Sequence, residues 1–490
     1  MLTAYTSDQI RAAEAALMAK LPEGTLMERA ATGLAVTCAR MLGTVYGSRV
    51  VLLIGSGDNG GDALYAGARL ASRGARVDAI LAGERFHRAG AAALRRSGGR
   101  VTDLQGGTSA ARRLVHAADL IMDGLVGIGG AGALREPYAT LAGLANDAPG
   151  AVVAVDVPSG VDASSGRIDG AAVRADVTVT FGAYKIGLLV DPGAVNAGRV
   201  ELVDIGLGPY LPDPEASAFI DADVAVRLPV PDALSDKYRR GVVGIAAGSH
   251  QYTGAAVLAV GGAIRAGAGM VRYAGVAEPV EQVRARWPEA VITPLQPGEG
   301  VDKVGQVQAW VVGPGLGTGP EALAVVRSVL ASDVPVLVDA DALTLVAKNR
   351  SLLRRGAPVL ITPHAGELSR LLDVPRARIE ARRLENVRRA ASELGVTALL
   401  KGSTTLVAEE ERPVRINRTG SPWLATGGTG DVLAGLTGAL LAAGLSGYDA
   451  ASCAAHLHGI AGRNGPLSAG DVVEALPEVI RSVMNRLGRE

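Results

Sequence analysis

The run Gly420-Ser421-Pro422-Trp423-Leu424-Ala425-Thr426-Gly427-Gly428-Thr429-Gly430-Asp431-Val432-Leu433-Ala434-Gly435 decides how the second half of the chain is read. A glycine-rich turn passes directly into an apolar helical pattern that continues to about Ala443. Such a turn leaves backbone N–H groups free at a helix N-terminus, where the dipole favours an anion. Its glycines let a phosphate approach the main chain closely. Asp431 falls in the first helical turn, at the edge of that anion site. A carboxylate there can act as a base, removing the proton from a hydroxyl that receives a phosphoryl group. A turn whose Asp merely favours the helix start would suit a bare Gly-Gly pair. The full Ala-Thr-Gly-Gly-Thr-Gly-Asp before a helix favours the functional reading.

Outward from this run, 490 residues exceed one ordinary domain, so two or more are expected. Aromatic residues make up only 3%, which leaves Ala, Val and Leu to build the cores. The 65 glycines are spread between apolar runs, a distribution that implies many tight strand-to-helix turns. Basic and acidic residues balance at 49 each, which argues against nucleic acid or a membrane surface as a partner. Cys38 and Cys453 lie in Ala-rich helical patterns and read as small core residues, in keeping with a reducing compartment. No apolar h-region and no membrane-length apolar run is visible, so a cytoplasmic location is expected.

In the first half, Thr6 and Gln9 stand at capping-box spacing, and a helix is expected over about Leu26–Met41. Arg49–Ile54 reads as a buried strand, followed by Gly55-Ser56-Gly57-Asp58-Asn59-Gly60-Gly61-Asp62 and a helix from about Ala63 to Ser72. Gly55, Gly57 and Gly60 satisfy the dinucleotide pattern G-x-G-x-x-G. The acidic residue that pattern wants is out of place, because Asp78 lies inside the next strand, Arg76–Leu81. Strand and helix patterns then alternate over His87–Arg96, Arg100–Leu104 and Ser109–Ala117. Strand Asp119–Met122 leads into Asp123, and strand Ala151–Val155 into Asp156-Val157-Pro158-Ser159-Gly160. Both carboxylates fall just beyond strand C-termini, where open α/β sheets hold ligands. Two acids, an amide and a hydroxyl at neighbouring strand ends could supply oxygens to a hard monovalent cation. Turn-forming Asp residues are the plainer alternative. The alternation predicts an α/β fold whose first domain is a Rossmann-like three-layer αβα unit. Pro- and Gly-rich residues 206–215 read as a linker, dividing the chain into domains 1–215 and 216–490.

The second half repeats the strand–turn–helix grammar. Strands at Val242–Ala247, Trp310–Val312, Val336–Val338, Pro358–Ile361 and Thr397–Leu400 each run into a loop bearing glycine or polar residues. Those loops carry Gly315 and Leu316, then Asp339 and Asp341, then His364, then Lys401-Gly402-Ser403-Thr404-Thr405. His456 and His458 stand two apart on a helical pattern and face different ways, so they are poor metal partners. Helices Tyr448–Gly462 and Val472–Leu487 read as packing.

The Gly427–Asp431 segment resembles the anion hole and catalytic aspartate of ribokinase-like kinases. With the other motifs, the chain resembles the bifunctional NAD(P)H-hydrate repair enzymes, which join an epimerase to an ADP- or ATP-dependent dehydratase. The resemblance covers nearly the whole chain and implies a ribokinase-like αβα fold for the second domain. It makes Asp58, Asn59, Gly60, Gly61 and Asp62 a hydrate-binding loop, although the usual motif has Asn at Asp58 and Gly at Ala63. It assigns Gly127, Ile128, Gly129, Gly130, Ala131, Gly132 and Ala133 to the diphosphate side of the hydrate. Asp156 would touch the nicotinamide end and act as acid–base residue. Asn59, Asp123 and Ser159 would contact a potassium ion, and Lys185 either supports Asp156 or is a solvated lysine. In the second domain the resemblance implies hydrate contacts at Ala255, Gly315, Leu316, His364 and Asp431. Nucleotide contacts would come from Lys401, Gly402, Ser403, Thr404, Thr405 and Gly430. Trp423 stands where the family usually has Gly.

The implied reaction is repair of NADH-hydrate and NADPH-hydrate. The first domain would interconvert the R and S epimers. The second would phosphorylate the S epimer at its C6 hydroxyl from ADP or ATP with magnesium, and phosphate would leave to restore the dihydropyridine. The bacterial-type arrangement favours ADP, with release of AMP, and family members generally form homo-oligomers. Two rivals stay open from the residues themselves. One is a small-molecule kinase with a regulatory N-terminal domain. The other is a nicotinamide-dependent oxidoreductase, which leaves the Asp-Val-Pro-Ser-Gly and Gly-Gly-Thr-Gly-Asp motifs unexplained.

Overall fold

Alternating apolar strands and amphipathic helices fold into two α/β units in the computed structural model, which describes residues 1–104 and 108–486. One unit is Thr3–Ala216, and the other comprises Ser217 onward with Met1 and Leu2.

The sheet of the first unit has seven parallel strands: β1 (Arg49–Ile54), β2 (Arg76–Leu81), β3 (Arg100–Asp103), β4 (Leu120–Gly124), β5 (Ala151–Val155), β6 (Val177–Phe181) and β7 (Arg199–Val203). Their order is β3-β2-β1-β4-β5-β6-β7. β1 is apolar from Val50 to Ile54 because both its faces are covered. Leu52 and Ile54 enter one core, while Val51 and Leu53 enter the other. The strand order reverses between β1 and β4, which opens a crevice at their C-terminal ends. Registers Ile54↔Gly124 and Asp123↔Ala154 bring the ends of β1, β4 and β5 level at that crevice.

The helix after β1 spans Asp58–Ala71, so it starts five residues earlier than its sequence suggested. The glycines that read as loop are packing glycines. A Cβ on Gly60 would lie 2.7 Å from the Gly55 carbonyl oxygen, and one on Gly61 2.8 Å from Met27 Cε. Their absence lets the first helical turn press against β1 and the helix Thr25–Leu42. Asp58 thus stands in the first turn, where a carboxylate suits the helix dipole. Thr6 and Gln9 form the expected capping box of helix Ser7–Met18.

In the second unit the strands are β8 (Val242–Ala246), β9 (Met270–Gly275), β10 (Val291–Pro294), β11 (Ala309–Val312), β12 (Val336–Val338), β13 (Val359–Ile361), β14 (Thr397–Leu400), β15 (Thr405–Ala408) and β16 (Val414–Asn417). They lie in the order β10-β9-β8-β11-β12-β13-β14-β15-β16. Pairings are parallel as far as β14; the β14–β15 and β15–β16 pairs are antiparallel. Helix Thr429–Ala442 packs at very short range on helix Thr253–Arg265. Gly262 sits against the Val432 carbonyl, where a Cβ would come within 2.4 Å of its oxygen, and Gly435 sits against Ala259. This contact fixes the Asp431 helix against helix Thr253–Arg265. The last described helix is Ala469–Asn485, and Leu487, where it was expected to end, lies outside the described residues. Both cysteines are buried and free. Among the described residues no helix is long and apolar enough to cross a membrane.

Candidate active sites

The crevice of the first unit is a cavity of about 680 Å³, within the range of small-molecule sites. It is lined by Asp58, Asn59, Asp62, the whole run Gly127–Ala133 and Asp156. Gly60 and Gly61 do not line it; they are buried within the first helical turn.

Asp156 follows β5 in a left-handed conformation, with φ 65°. For a non-glycine residue that is strain of about 1–3 kcal/mol, which persists only where the surroundings enforce it. The surroundings here are three donors to one oxygen. Asp156 Oδ1 accepts from Thr180 Oγ1 at 3.1 Å, from the Phe181 amide at 3.1 Å and from Lys185 Nζ at 2.5 Å. Lys185 is fully buried and also donates to Thr180 Oγ1 and the Phe181 carbonyl. It is therefore not a solvated lysine: all three ammonium protons have protein partners. With Oδ1 saturated, Oδ2 is the oxygen left for a ligand in the cavity.

Asn59, Asp123 and Ser159 come together at the ends of β1, β4 and β5. The Ser159 amide and hydroxyl donate to the two carboxylate oxygens of Asp123 at 2.7 and 2.6 Å. Ser159 Oγ accepts from the Val126 amide at 2.9 Å. Asn59 Nδ2 donates to the Val155 carbonyl at 2.6 Å, which turns Oδ1 towards Gly127. Burial pushes the Asp123 carboxyl up to about 6 despite its bonds from Ser159. A buried cluster of carboxylate, hydroxyl and amide oxygens fits a hard cation such as potassium. Among the described residues no group of three or more His, Cys, Asp or Glu could hold a metal ion.

Asp62 and Glu14 also stand in the cavity wall, as do Asp162 and Asp169. Asp62, in the expected hydrate-binding set, is buried with Oδ1 lacking a hydrogen-bond partner. Glu14, from helix Ser7–Met18, was not singled out from sequence, where it is one charged residue on an amphipathic helix.

In the second unit the ends of β12 and β14 and helix Ala365–Leu372 converge on the N-terminus of helix Thr429–Ala442. Lys401 Nζ lies 2.7 Å from Asp339 Oδ1 and 3.7 Å from Glu367 Oε2. Burial opposes the charge on Lys401, but Asp339 and Glu367 outweigh it and hold its pKa above the usual value. Asp431 is pushed up to about 7, first by burial and then by Asp339, with Lys401 opposing. Asp341 accepts from the Gly317 amide at 2.9 Å. These carboxylates are oxygen donors of the kind that bind magnesium alongside phosphates.

Ala255 and Gly315 meet directly. Gly315 has φ 58°, and a Cβ there would lie 2.6 Å from Ala255 Cβ and 2.8 Å from Tyr252 Cβ. His364 caps helix Ala365–Leu372: Nδ1 accepts from the Gly366 and Glu367 amides, and Glu367 Oε2 accepts from the His364 amide. Burial lowers the His364 pKa against the pull of Glu367.

A cavity of about 310 Å³ is lined by Lys401, Gly402, Ser403, Thr405 and Gly430. Thr404 is turned away from it, and its carbonyl accepts from Arg383 Nη2 at 3.1 Å. Arg383, buried in helix Arg383–Leu394, also donates to the Lys401 carbonyl at 3.1 Å and so shapes this loop. Gly402 leaves room for this guanidinium: a Cβ would lie 2.3 Å from Arg383 Nη2 and displace it. His458 is buried, as its helical packing pattern suggested, but it stands on the cavity wall. Burial pushes it down to about 4, and its Nε2 lies 2.9 Å from the Thr429 carbonyl. Neither Arg383 nor His458 carried a sequence signal of this placement. Trp423 sits in a single turn, Pro422–Leu424, with its ring against Gly465, and does not line the cavity.

Comparison with known proteins identifies the family of each half. Residues 243–483 match the family described as NAD(P)H-hydrate dehydratase, and residues 23–187 match the YjeF-related protein N-terminus. The chain is 48% identical over 454 residues to the bifunctional NAD(P)H-hydrate repair enzyme Nnr of Mycobacterium tuberculosis, covering 91% of each chain. It is 46% identical to the enzyme of that name from Mycobacterium leprae, covering 95% of this chain and 94% of the relative. Among solved structures, an ADP/ATP-dependent NAD(P)H-hydrate dehydratase from Bacillus subtilis, co-crystallized with ATP/Mg2+, aligns with TM-score 0.51 and 30% identity. That alignment covers 55% of this chain and 99% of the Bacillus chain. The chain belongs to the bifunctional NAD(P)H-hydrate repair enzymes.

Proposed function

We propose that the first unit interconverts the R and S epimers of NADH-hydrate and NADPH-hydrate at the 680 Å³ cavity. The second unit restores NAD(P)H from the S epimer with ADP or ATP as phosphoryl donor. The observation that carries the second activity is Asp431: a partly buried carboxyl pushed up to about 7, at a helix N-terminus beside Lys401 and a cavity of about 310 Å³.

The hydrate lies between Ala255, Gly315 and Leu316, with His364 at its edge. Asp431 removes the proton from the C6 hydroxyl, and the oxygen attacks the terminal phosphoryl group of the nucleotide. Amides at Gly428–Gly430 and the ammonium of Lys401 stabilise the charge that develops on the phosphoryl oxygens. The new phosphate ester is a far better leaving group than hydroxide. The ring nitrogen expels it, and the dihydropyridine is restored. The nucleotide rests against Lys401, Gly402, Ser403, Thr405 and Gly430, in a loop held by Arg383. Carboxylates of the Asp339–Asp341 and Glu367 group would hold magnesium, which would supply further charge neutralisation to the phosphates. In the first unit Asp156 exchanges the proton needed for inversion at C6. Asn59, Asp123 and Ser159 would hold potassium, which supplies a fixed positive charge beside the loop that binds the diphosphate.

The test is recovery of reduced-nicotinamide absorbance from a mixed-epimer NADH-hydrate preparation, with magnesium and either nucleotide. Full recovery, faster than spontaneous epimerisation, is the expected result, with ADP the better donor. No recovery with either nucleotide, or a stable phosphorylated product, would point to the small-molecule kinase reading.

The same assay gives a pH dependence of known sign. A base works only when ionised, so kcat/KM for the S epimer should fall as pH drops through about 7, the value of the Asp431 carboxyl. Below it the fall should approach about tenfold per pH unit. A flat profile between pH ~5 and ~8 would remove Asp431 from the role of base.

A further inference from the structure

We propose that Glu14 is the second acid–base group of the epimerase cavity, the proton donor that works with Asp156. The proposal rests on the epimerase reading of the first unit and names a catalytic residue beyond it.

Six carboxyls line this cavity. Asp162 accepts from the Ser164 amide and the Ser165 hydroxyl, and Asp169 is paired with Arg167 at 2.7 Å. The other four are Glu14, Asp58, Asp62 and Asp156, and the ammonium beside them, Lys185, is bonded to Asp156. Of the cations in reach, Lys185 is committed to Asp156, Arg167 to Asp169, and Arg11 is half exposed, so four ionised carboxylates here would repel one another. Asp62 shows how the excess is relieved: it is 8% exposed, and among the described residues its Oδ1 has no donor. An ionised carboxylate would not be left so, and burial drives this carboxyl well above its ordinary range, with Asp156, Asp58 and Glu14 adding to the shift. Asp62 is thus a neutral acid in the wall, too enclosed to exchange its proton readily. Glu14 is the neutral acid that is reachable. It is partly buried, faces the open cavity and is pushed up to about 7, chiefly by burial. Lys185 and Arg11 pull it down, while Asp156 and Asp58 push it up.

Its position is built rather than incidental. Helix Ser7–Met18 is fastened over the cavity by Arg11 Nη2, which donates to the Ile128 carbonyl at 3.0 Å. The Ser7 amide donates to Ser164 Oγ at 2.9 Å. Arg11 and Glu14 are three residues apart and share a helix face, so the clamp that fixes one places the other. Asp156 is bonded to the Lys185 ammonium and Glu14 is not, and two carboxyls in unlike surroundings are the arrangement that acid–base catalysis needs.

The chemistry closes on these two groups. Asp156 Oδ2 takes the proton of the C6 hydroxyl. The C6–O bond becomes a carbonyl as the N1–C6 bond breaks, and the electron pair passes to N1, which takes the proton of Glu14. Rotation about C5–C6 presents the other face of the aldehyde. N1 re-forms its bond to C6, its proton returns to Glu14, and the oxygen recovers its proton from Asp156. Both carboxyls end as they began, and no oxidant or second reactant enters.

The experiment uses the full chain and the R epimer of NADH-hydrate, with dehydration of the S epimer as an internal control. Glu14→Gln should lower kcat for epimerisation by about 10²-fold or more, with KM little changed and dehydration unaffected. Wild-type epimerisation should decline above pH ~7 as the donor ionises. Glu14→Asp should keep a declining alkaline limb, and the residual rate of Glu14→Gln should lack it. A normal rate in Glu14→Gln overturns the proposal, as does a reduced rate with the alkaline limb intact, which would make Glu14 only structural. If Asp156→Asn abolishes epimerisation while Glu14→Gln does not, the proposal fails and the epimerase reading stands. If wild type does not exceed the spontaneous rate, the reading itself fails.

Discussion

Replacing Asp431 with Asn should abolish dehydration of the S epimer, lowering kcat by about 10²–10⁴-fold, while nucleotide affinity changes little. The carboxylate is the group assigned to take the C6 hydroxyl proton, and an amide of the same shape cannot accept it. The fold should tolerate the change. Asp431 is a carboxyl raised to about 7, crowded by Asp339, Asp341 and Glu367, so a neutral side chain there relieves repulsion. The nucleotide contacts lie on Lys401, Gly402, Ser403 and Thr405, which keep the Arg383 clamp in either protein. Turnover is read from recovered nicotinamide absorbance and affinity from direct titration with ADP and ATP. Near-normal turnover in Asp431→Asn would end the base assignment. Loss of nucleotide binding in parallel would move Asp431 from proton transfer to ligand positioning.

The second large effect is expected at Asp156 and Lys185, and it separates catalysis from stability. Asp156→Asn should cut epimerisation by about 10²–10⁴-fold, because the proton acceptor is gone. It should also destabilise the first unit by about 3–5 kcal/mol, because the fully buried Lys185 ammonium then has no counter-charge. For a unit of this size that is a fall of roughly 6–20 °C in its thermal transition. Adding Lys185→Met removes the stranded cation with a side chain of similar length. The double variant should regain most of the lost stability and none of the activity, since replacing a buried ion pair by apolar groups is often neutral. Thermal unfolding and the epimerase assay on the single and double variants measure both quantities. If stability is not regained, the ion pair is not what holds this site. If epimerisation returns with stability, Asp156 acts only by supporting the fold.

What the sequence determined by itself is the framework and the identity of the acidic ends. Strands such as Arg49–Ile54 and Ala151–Val155 are legible because burial on both faces demands an unbroken apolar run. Asp123, Asp156, Asp339 and Asp431 are legible because each follows such a run, or opens a helix after a glycine turn. The start of helix Asp58–Ala71 was not legible. Gly60 and Gly61 look like loop until Gly55 and Met27 are seen pressed against them. The chemical state of the sites came only from tertiary structure. Lys185 reads equally well as surface or support until it is buried against an aspartate 29 positions earlier. Glu14, Arg383 and His458 have no local motif, and their roles follow from a cavity wall, two carbonyls of a loop and a buried turn. The reason is physical: a side chain's charge and partners are set by how much water it loses and which distant groups replace that water. Both are sums over neighbours that only the folded chain assembles.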